Sequence, residues 1–397
     1  MRIAYILEQM TGGWLGYELD ALCDLWAEIM IHPVNPAVYG SFEGDARYRK
    51  RTLIGDLGRA AVTTLAHPAA TPVLFRKLSS AAGKKIALAA LSTSYRVGRE
   101  RPVIMHAHFA TAPAASAWAV SRLTGIPYGF TAHGGYDLTK GPIDRDFLTV
   151  KCRDAAFVRC VSDYGRRRLI SMTGIDDARF RVIHCGVDTR YFAPRESPEK
   201  RTRKEKTILT VAGLVEPKGI IYLLHALADT SLKESGVRSI IVGDGPLRRE
   251  LQEAARRLGA PAVFVGPVGS DEVRRYYHEA DLFVLPCVTG QDGHHDGVPV
   301  VLMEAMACGV PVISTRLSGI PELVEDNKSG TLVAEKDPRE LAAAVKRLLT
   351  DADMRRRFSM EGRKKVVTQF EIRDVARGLM ELLWACSKGR GDGQDGR

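Results

Sequence analysis

Two carboxylates, Asp296 and Glu304, stand eight positions apart in HHDGVPVVLMEAMACGVPVIST, bracketing a turn that leads into a helix at about Val300. That spacing covers a loop plus one helical turn. Gly297 lets backbone approach a ligand, and Pro299 suits the first helical position because its missing donor is not needed there. The exposed amides of the turn that follows form an anion site fit for a phosphate or diphosphate. Structural roles compete with this: Asp296 as the helix N-cap, Glu304 as a surface residue on the second turn. Glu304, however, lies within VVLMEAMA, where burial without a partner is costly.

Other polar residues stand where a strand should end. His133 in TAHGG is followed by two glycines, so its ring is expected to face a cleft and donate to a hydroxyl or phosphate. A structurally paired strand-end histidine is the competing reading. His106 and His108 alternate in HAHF and are expected to pack. Gly12 and Gly13 follow the first strand, where small residues admit a phosphate or sugar close to backbone amides. Lys218 in EPKG sits at the mouth of a strand and opens a helix, where a solvated helix start is the plain alternative.

Several chemistries lack their signatures. The early glycines are not spaced GxGxxG, and GDGP after the strand RSIIV is not either, which weakens a dinucleotide oxidoreductase. Neither Asp144-Arg145-Asp146 nor Asp351-Ala352-Asp353 falls at a strand end, and His294 and His295 are adjacent, so no metal site is expected. No serine or cysteine sits beside a histidine in a nucleophile turn. The expected cofactor is none.

These residues must be held by an alternating framework. RIAYIL, VIMHAHF, PYGFTAH, AAFVRCVS and RFRVIHCGVD are short apolar runs separated by helical patterns. A second series, TILTVAGL, SIIVGDG, AVFVGPV, DLFVLPC, PVISTRL and GTLVA, is made of uninterrupted apolar runs, the pattern of buried parallel strands. The reading is α/β, with two doubly wound Rossmann-like domains facing a cleft: residues 1–188, a charged linker at 189–206, and 207–370. A helix over 371–388, with an apolar stripe at Ile372, Val375, Leu379, Leu382 and Leu383, is expected to return to the first domain, ahead of a disordered tail at 389–397.

The chain of 397 residues carries 57 Lys and Arg against 47 Asp and Glu, with ordinary apolar content. No apolar run reaches the length of a membrane span, and the N-terminus lacks the pattern of a secretory signal, so a cytoplasmic protein is expected. Seven scattered cysteines without a CxxC pair, mostly within apolar strands or helices, read as reduced core residues. All the excess charge lies between residues 46 and 103, where twelve bases face two acids and Leu53, Ile54, Leu57, Leu65, Leu74, Phe75, Leu78, Ile86 and Leu88 are interleaved. Basic helices on an anionic membrane surface have that composition, as does a solvated helical face; nucleic acid is the weakest of the three readings.

Taken together, GGWLG, HAHFA, TAHGG, VSDYGRRRL, RVIHCGVDTRYF, VAGLVEPKG, IVGDGPLRREL, VFVGPV, HDGVPVVLMEAMACGVPVIST and GIPELV follow one another as in a known family. The chain resembles the retaining GT-B glycosyltransferases of family four, or group 1, and is similar to members that build exopolysaccharides of the colanic-acid type. The resemblance implies transfer of a sugar from a nucleotide diphosphate sugar to an acceptor hydroxyl, with retention and without metal. It implies that Asp296 touches sugar hydroxyls, that Glu304 binds the ribose, and that the backbone from Gly297 through Val298, Pro299, Val300 and Val301 holds the diphosphate. Lys218 would neutralise the leaving group, His133 would be the active-site histidine, and Gly12, Gly13, Gly243, Val265 and Gly266 would line the donor site.

Two positions depart from the family pattern. Ala212-Gly213-Leu214 stands where Gly-Arg-Leu is usual, so a phosphate-binding arginine is missing, and Asp296 replaces a glutamate. The implied partners are a nucleotide-sugar donor, a glycan or lipid-linked acceptor and an anionic membrane surface along residues 46–103, but no nucleic acid. A non-catalytic relative that binds a nucleotide sugar is the alternative.

Overall fold

A computed structural model describes residues 1–8, 12–34, 53–139, 144–175, 178–195, 206–229, 232 and 236–388. The expected linker therefore falls partly, and the tail wholly, outside the described residues, as do residues 46–52 of the basic stretch. Chain contacts divide the molecule into two units, one formed by Met1–His184 with the chain from Val375 onward, the other by Cys185–Asp374.

The first unit is built on six parallel strands: β1 (Arg2–Leu7), β2 (Glu28–Pro33), β3 (Ile104–His108), β4 (Tyr128–Ala132), β5 (Phe157–Cys160) and β6 (Phe180–Val182). Their spatial order is β2-β1-β3-β4-β5-β6. β1, β3, β4 and β5 are buried along almost their whole length because helices cover both faces, which is why they read as continuous apolar runs. The second unit repeats the plan with β7 (Lys206–Val211), β8 (Val237–Val242), β9 (Ala262–Gly266), β10 (Leu282–Val284), β11 (Val312–Thr315) and β12 (Thr331–Val333), in the order β12-β11-β10-β7-β8-β9. β7 and β10 are thus neighbours although the helices and strands between them separate them in sequence, so their carboxyl ends open side by side.

The basic stretch forms the helices Leu53–Ala66, Ala70–Ala82 and Lys84–Glu100. Most of its interleaved apolar residues turn inward: Leu74 and Leu78 are buried, and Phe75, Ile86 and Leu88 pack against the core. Exposed apolar side chains remain at Leu57, Val62, Leu65 and Val73. On the final helix, Ile372–Lys388, the residues Ile372, Val375, Leu379 and Leu383 are buried as one stripe.

Both DxD strings have structural duties. Asp144 caps the helix Arg145–Asp154 by accepting from the Phe147 amide, and Asp351 caps Ala352–Gln369 by accepting from Met354. No disulfide joins the seven cysteines, but the core expectation holds for only five of them: Cys386 is half-buried and Cys23, near the end of the helix Gly12–Asp24, is exposed.

Candidate functional site

In the second unit the turn that carries Lys218 is fastened to the segment leaving β10. After β7 the chain makes a short 3-10 turn, Glu216–Lys218, and passes through Gly219 at φ 64°. A Cβ at Gly219 would stand 1.9 Å from the Pro286 carbonyl oxygen, so both the backbone angle and the close approach require glycine. The Val288 amide donates to the Pro217 carbonyl at 2.9 Å. Further along, the Gln291 amide donates to Glu216 at 3.1 Å and the Thr289 amide to Glu335 at 2.5 Å. A loop of this length needs such anchors to present a side chain in one place.

The loop returns at Asp296, whose two oxygens accept from Lys218 Nζ at 2.9 and 2.8 Å. The Cys287 thiol donates to the same carboxylate at 3.3 Å. Burial works against the Lys218 ammonium, but Asp296 outweighs it and carries the lysine above its ordinary pKa. Burial pushes the Cys287 thiol well up, and the neighbouring carboxylate adds to that, so Cys287 is a neutral donor. Asp296 is therefore not the N-cap; Pro299 occupies that position, one residue earlier than expected for it, and the helix Val300–Ala307 begins at Val300.

Glu304 lies on the second turn of that helix. Its partner is Tyr277, on the helix Ser270–Glu279, whose hydroxyl is 2.9 Å from Glu304 Oε2 and 3.1 Å from the Val301 carbonyl. Burial raises the Glu304 pKa to about 7, against the lowering effect of the Tyr277 hydrogen bond. One hydroxyl proton serves one acceptor at a time, so the pair has two arrangements. With Glu304 ionised, Tyr277 donates to it; with Glu304 protonated, the acid donates to Tyr277 and Tyr277 to Val301.

Gly243 and Gly266 both hold left-handed backbone, at φ 125° and 102°. A Cβ at Gly243 would meet the Ala212 carbonyl oxygen at 2.0 Å, which closes the end of β8 onto the end of β7. At Gly266 the neighbour is the Arg248 guanidinium, 3.2 Å from a built Cβ. Gly213 is exposed, and Val265 is exposed at the end of β9.

The first unit holds His133 at the end of β4. Its amide, with that of Ala110, donates to the buried carboxylate of Asp137 at 2.9 and 3.1 Å, tying together the loops that follow β3 and β4. The His133 Nε2 is 3.2 Å from His108 Nδ1, and His108 Nε2 is 3.2 Å from Glu18 Oε1. Glu18 Oε2 accepts from Arg159 Nη1 at 2.5 Å. Burial disfavours the Glu18 carboxylate, but Arg159 first and His108 second outweigh it and hold the acid well below the usual range. Burial, then His108 and Arg159, push His133 well below the ordinary histidine pKa, so its ring is neutral. Gly12 and Gly13 open the helix Gly12–Asp24, the helix that also carries Glu18.

Among the described residues, Glu18, His106 and His108 are grouped closely enough to hold a metal. The set fits one poorly: Arg159 occupies the second carboxylate oxygen and places a fixed positive charge beside any incoming cation.

Sequence reasoning missed Tyr277, Cys287, Gly219, Glu18 and Arg159. Only Arg159 announces itself locally, as one arginine in the buried run FVRC, a position tolerable only with a buried acid and carbonyl partners.

Two such α/β units, with these residues at the carboxyl ends of the second sheet, define a GT-B architecture. A glycosyltransferase structure from Rickettsia africae is similar with a TM-score of 0.75 at 17% identity, covering 98% of this chain and 99% of that one. Anabaena Alr3699/HepE in complex with UDP is similar with a TM-score of 0.75 at 19% identity, covering 97% and 100%. Residues 205–351 match the family model Glycosyl transferases group 1, and residues 55–191 match Glycosyltransferase Family 4. The chain belongs to this glycosyltransferase family.

Its similar relatives include a putative colanic acid biosynthesis glycosyltransferase, WcaL of Escherichia coli, 41% identical over 232 residues, 57% of this chain and 55% of the relative. The amylovoran biosynthesis glycosyltransferase AmsK of Erwinia amylovora is 36% identical over 56% of this chain and 54% of its own. A GDP-mannose-dependent phosphatidylinositol monomannoside mannosyltransferase of Mycobacterium tuberculosis is 31% identical over 69% and 74%. The match spans about half the length of the first two of these relatives.

Proposed function

We propose that the protein moves a sugar from a nucleoside diphosphate sugar to an acceptor hydroxyl with retention of configuration, using no metal, in the assembly of a surface polysaccharide or lipid-linked glycan. The observation that carries this reading is the Lys218–Asp296 pair, built from the ends of two adjacent strands in the same unit as the helix Val300–Ala307. A diphosphate at that helix start meets backbone amides and the positive end of the helix dipole. Lys218 then has a second anion to bind as charge develops on the leaving oxygen, and Asp296, released in proportion, accepts from sugar hydroxyls. Glu304 accepts from the ribose when ionised.

No protein nucleophile is required: the leaving phosphate oxygen takes the acceptor proton as the acceptor enters on the same face. The relatives named for colanic acid, amylovoran and phosphatidylinositol mannoside synthesis support the acceptor class. The bases and exposed Leu57, Val62, Leu65 and Val73 of the first unit support work at an anionic membrane surface, on the cytoplasmic side.

The test is turnover of UDP- and GDP-sugars by the purified full chain, with the anomeric configuration of the product read by NMR. Lys218→Ala is expected to cost on the order of 100-fold or more in kcat. Exposed Gly213, where the family carries an arginine, favours a second reading, a nucleotide-sugar binder without transferase activity; tight nucleotide binding with zero turnover would establish it.

A further inference from the structure

We propose that Asp137 and Lys151 are positioning residues: by holding both backbone groups of Ala110 they keep Phe109 in left-handed backbone, so that its ring packs against His133 and fixes that imidazole for a ligand. The inference deepens the preceding reading and rests on it only for His133 meeting ligand; the backbone geometry stands without it.

Phe109 is the residue at which the chain leaves β3. Its φ is 74°, a left-handed angle that a bulky side chain adopts only where its surroundings impose it. The planes of the two peptides flanking a residue set its dihedral angles, and here both are held. On one side the Phe109 amide donates to the Thr131 carbonyl at 2.9 Å, so pairing with β4 continues up to this residue. On the other side the Ala110 amide donates to Asp137 Oδ2 at 3.1 Å. Lys151 Nζ donates to the Ala110 carbonyl, which fixes the next peptide as well.

Both charged side chains reach Ala110 from outside the two strands. Asp137 stands on the short helix Tyr136–Thr139 and Lys151 on Arg145–Asp154, and they are 4% and 7% exposed. Burial lowers the Lys151 pKa to about 8, against the pull of Cys152 and Asp137. Burial raises that of Asp137, against the Ala110 and His133 amides. Keeping two ionisable groups out of water to hold the backbone of one alanine costs stability, and what it secures is the geometry of the adjoining residue.

That geometry reaches the site directly. Asp137 Oδ2 also accepts from the His133 amide at 2.9 Å, so one oxygen locates the backbone of both aromatic residues. Their ring centroids are 4.4 Å apart with the planes inclined by 33°. At an ordinary negative φ the Phe109 ring would leave this position, and the imidazole would lose the wall beside it. A ring packed in this way turns less freely about its side-chain bonds and meets a ligand already oriented.

The test is crystallography of the wild-type and Lys151→Met full chains, joined to steady-state kinetics on the wild type's best UDP- or GDP-sugar. Methionine keeps the apolar stem of Lys151 but cannot donate. Because the buried charge leaves together with the hydrogen bond, the variant is expected to melt close to the wild type. The wild type is expected to show Phe109 at positive φ against His133, and the variant to show Phe109 relaxed to negative φ with its ring withdrawn. In the variant kcat is expected to fall about 10- to 100-fold with donor KM nearly unchanged, because the proposed diphosphate site lies in the other unit. Asp137→Asn, whose side-chain oxygen still accepts from both amides, is expected to keep the geometry and most of the rate. Phe109→Ala, which removes the ring, is expected to lose rate as Lys151→Met does. Negative φ at Phe109 in the wild type, unchanged φ and ring separation in Lys151→Met, or unchanged kcat in Lys151→Met and Phe109→Ala overturns the inference. Geometry that responds as stated, in a protein that turns over no nucleotide sugar, would defeat the functional reading while establishing the hold on Ala110.

Discussion

Lys218 Nζ reaches both oxygens of Asp296, although 78 residues separate them. Each side chain is about one-fifth exposed, so the pair is neither a surface bridge nor a fully desolvated one. Asp296→Ala leaves a largely buried ammonium and an unmatched Cys287 thiol, and is expected to cost about 1–3 kcal/mol in denaturant unfolding. Lys218→Met removes the other charge. The double variant is expected to be less destabilised than the sum of the two singles, because the stranded charge is gone. Additive losses would show that the pair contributes no coupling.

Glu304 gives a pH dependence of definite sign. Its folded pKa of about 7 lies above the ordinary 4.5, so its contribution to stability is fully present below about pH 4.5 and is lost as pH rises through 7. That difference corresponds to roughly 3 kcal/mol. Wild-type stability is expected to fall across this window relative to Glu304→Gln, which stays neutral. Nucleotide affinity should run the opposite way in the wild type, rising as the carboxylate forms and can accept from ribose hydroxyls. Parallel pH profiles for the two proteins, measured by thermal melting, would remove Glu304 as their source.

Most strands were legible because burial on both faces writes an uninterrupted apolar run, although β9, an edge strand written the same way, leaves Val263 and Val265 exposed. β2 was not legible, since only Ile29 and Ile31 alternate before Pro33 ends an edge strand paired on one side. The carboxylates, the lysine and the histidine were legible as residue types at strand ends. Their partners were not: Asp296 meets Lys218 because β10 lies beside β7, and Tyr277 meets Glu304 from another helix. Local spacing carries no record of such strand order. The basic stretch misled in a different way, since Leu74 and Leu78 sit among lysines and arginines in sequence while facing the core in space.

Two glycines with the same backbone angle should respond differently to alanine. Gly219, at φ 64°, has a carbonyl oxygen 1.9 Å from the position of a Cβ, whereas Gly174, at φ 66° after the helix Asp163–Thr173, has nothing within 4 Å. Gly174→Ala is expected to cost only about 1 kcal/mol, from the left-handed backbone. Gly219→Ala adds displacement of the Pro286 segment and is expected to cost about 3 kcal/mol or more, with turnover falling as Lys218 shifts. Equal melting temperatures for the two variants would contradict the close approach at Gly219.

Membrane binding, if it uses the first unit, must use the apolar side chains that remain outside. Leu57 and Leu65 lie eight residues apart on the helix Leu53–Ala66, 52% and 82% exposed, in a region where bases outnumber acids twelve to two. Electrostatic attraction and insertion are separable. Vesicles containing phosphatidylglycerol are expected to bind the protein, and phosphatidylcholine vesicles are not, with the difference shrinking as salt shortens the screening length. Burying two leucines in the interface contributes about 2–3 kcal/mol, so Leu57→Ser with Leu65→Ser is expected to weaken binding roughly 10- to 100-fold while leaving the fold intact, since neither side chain is part of the core. Co-sedimentation measures both effects, and equal binding to neutral and anionic vesicles, or no change in the double variant, would mean that these helices present an ordinary solvated face.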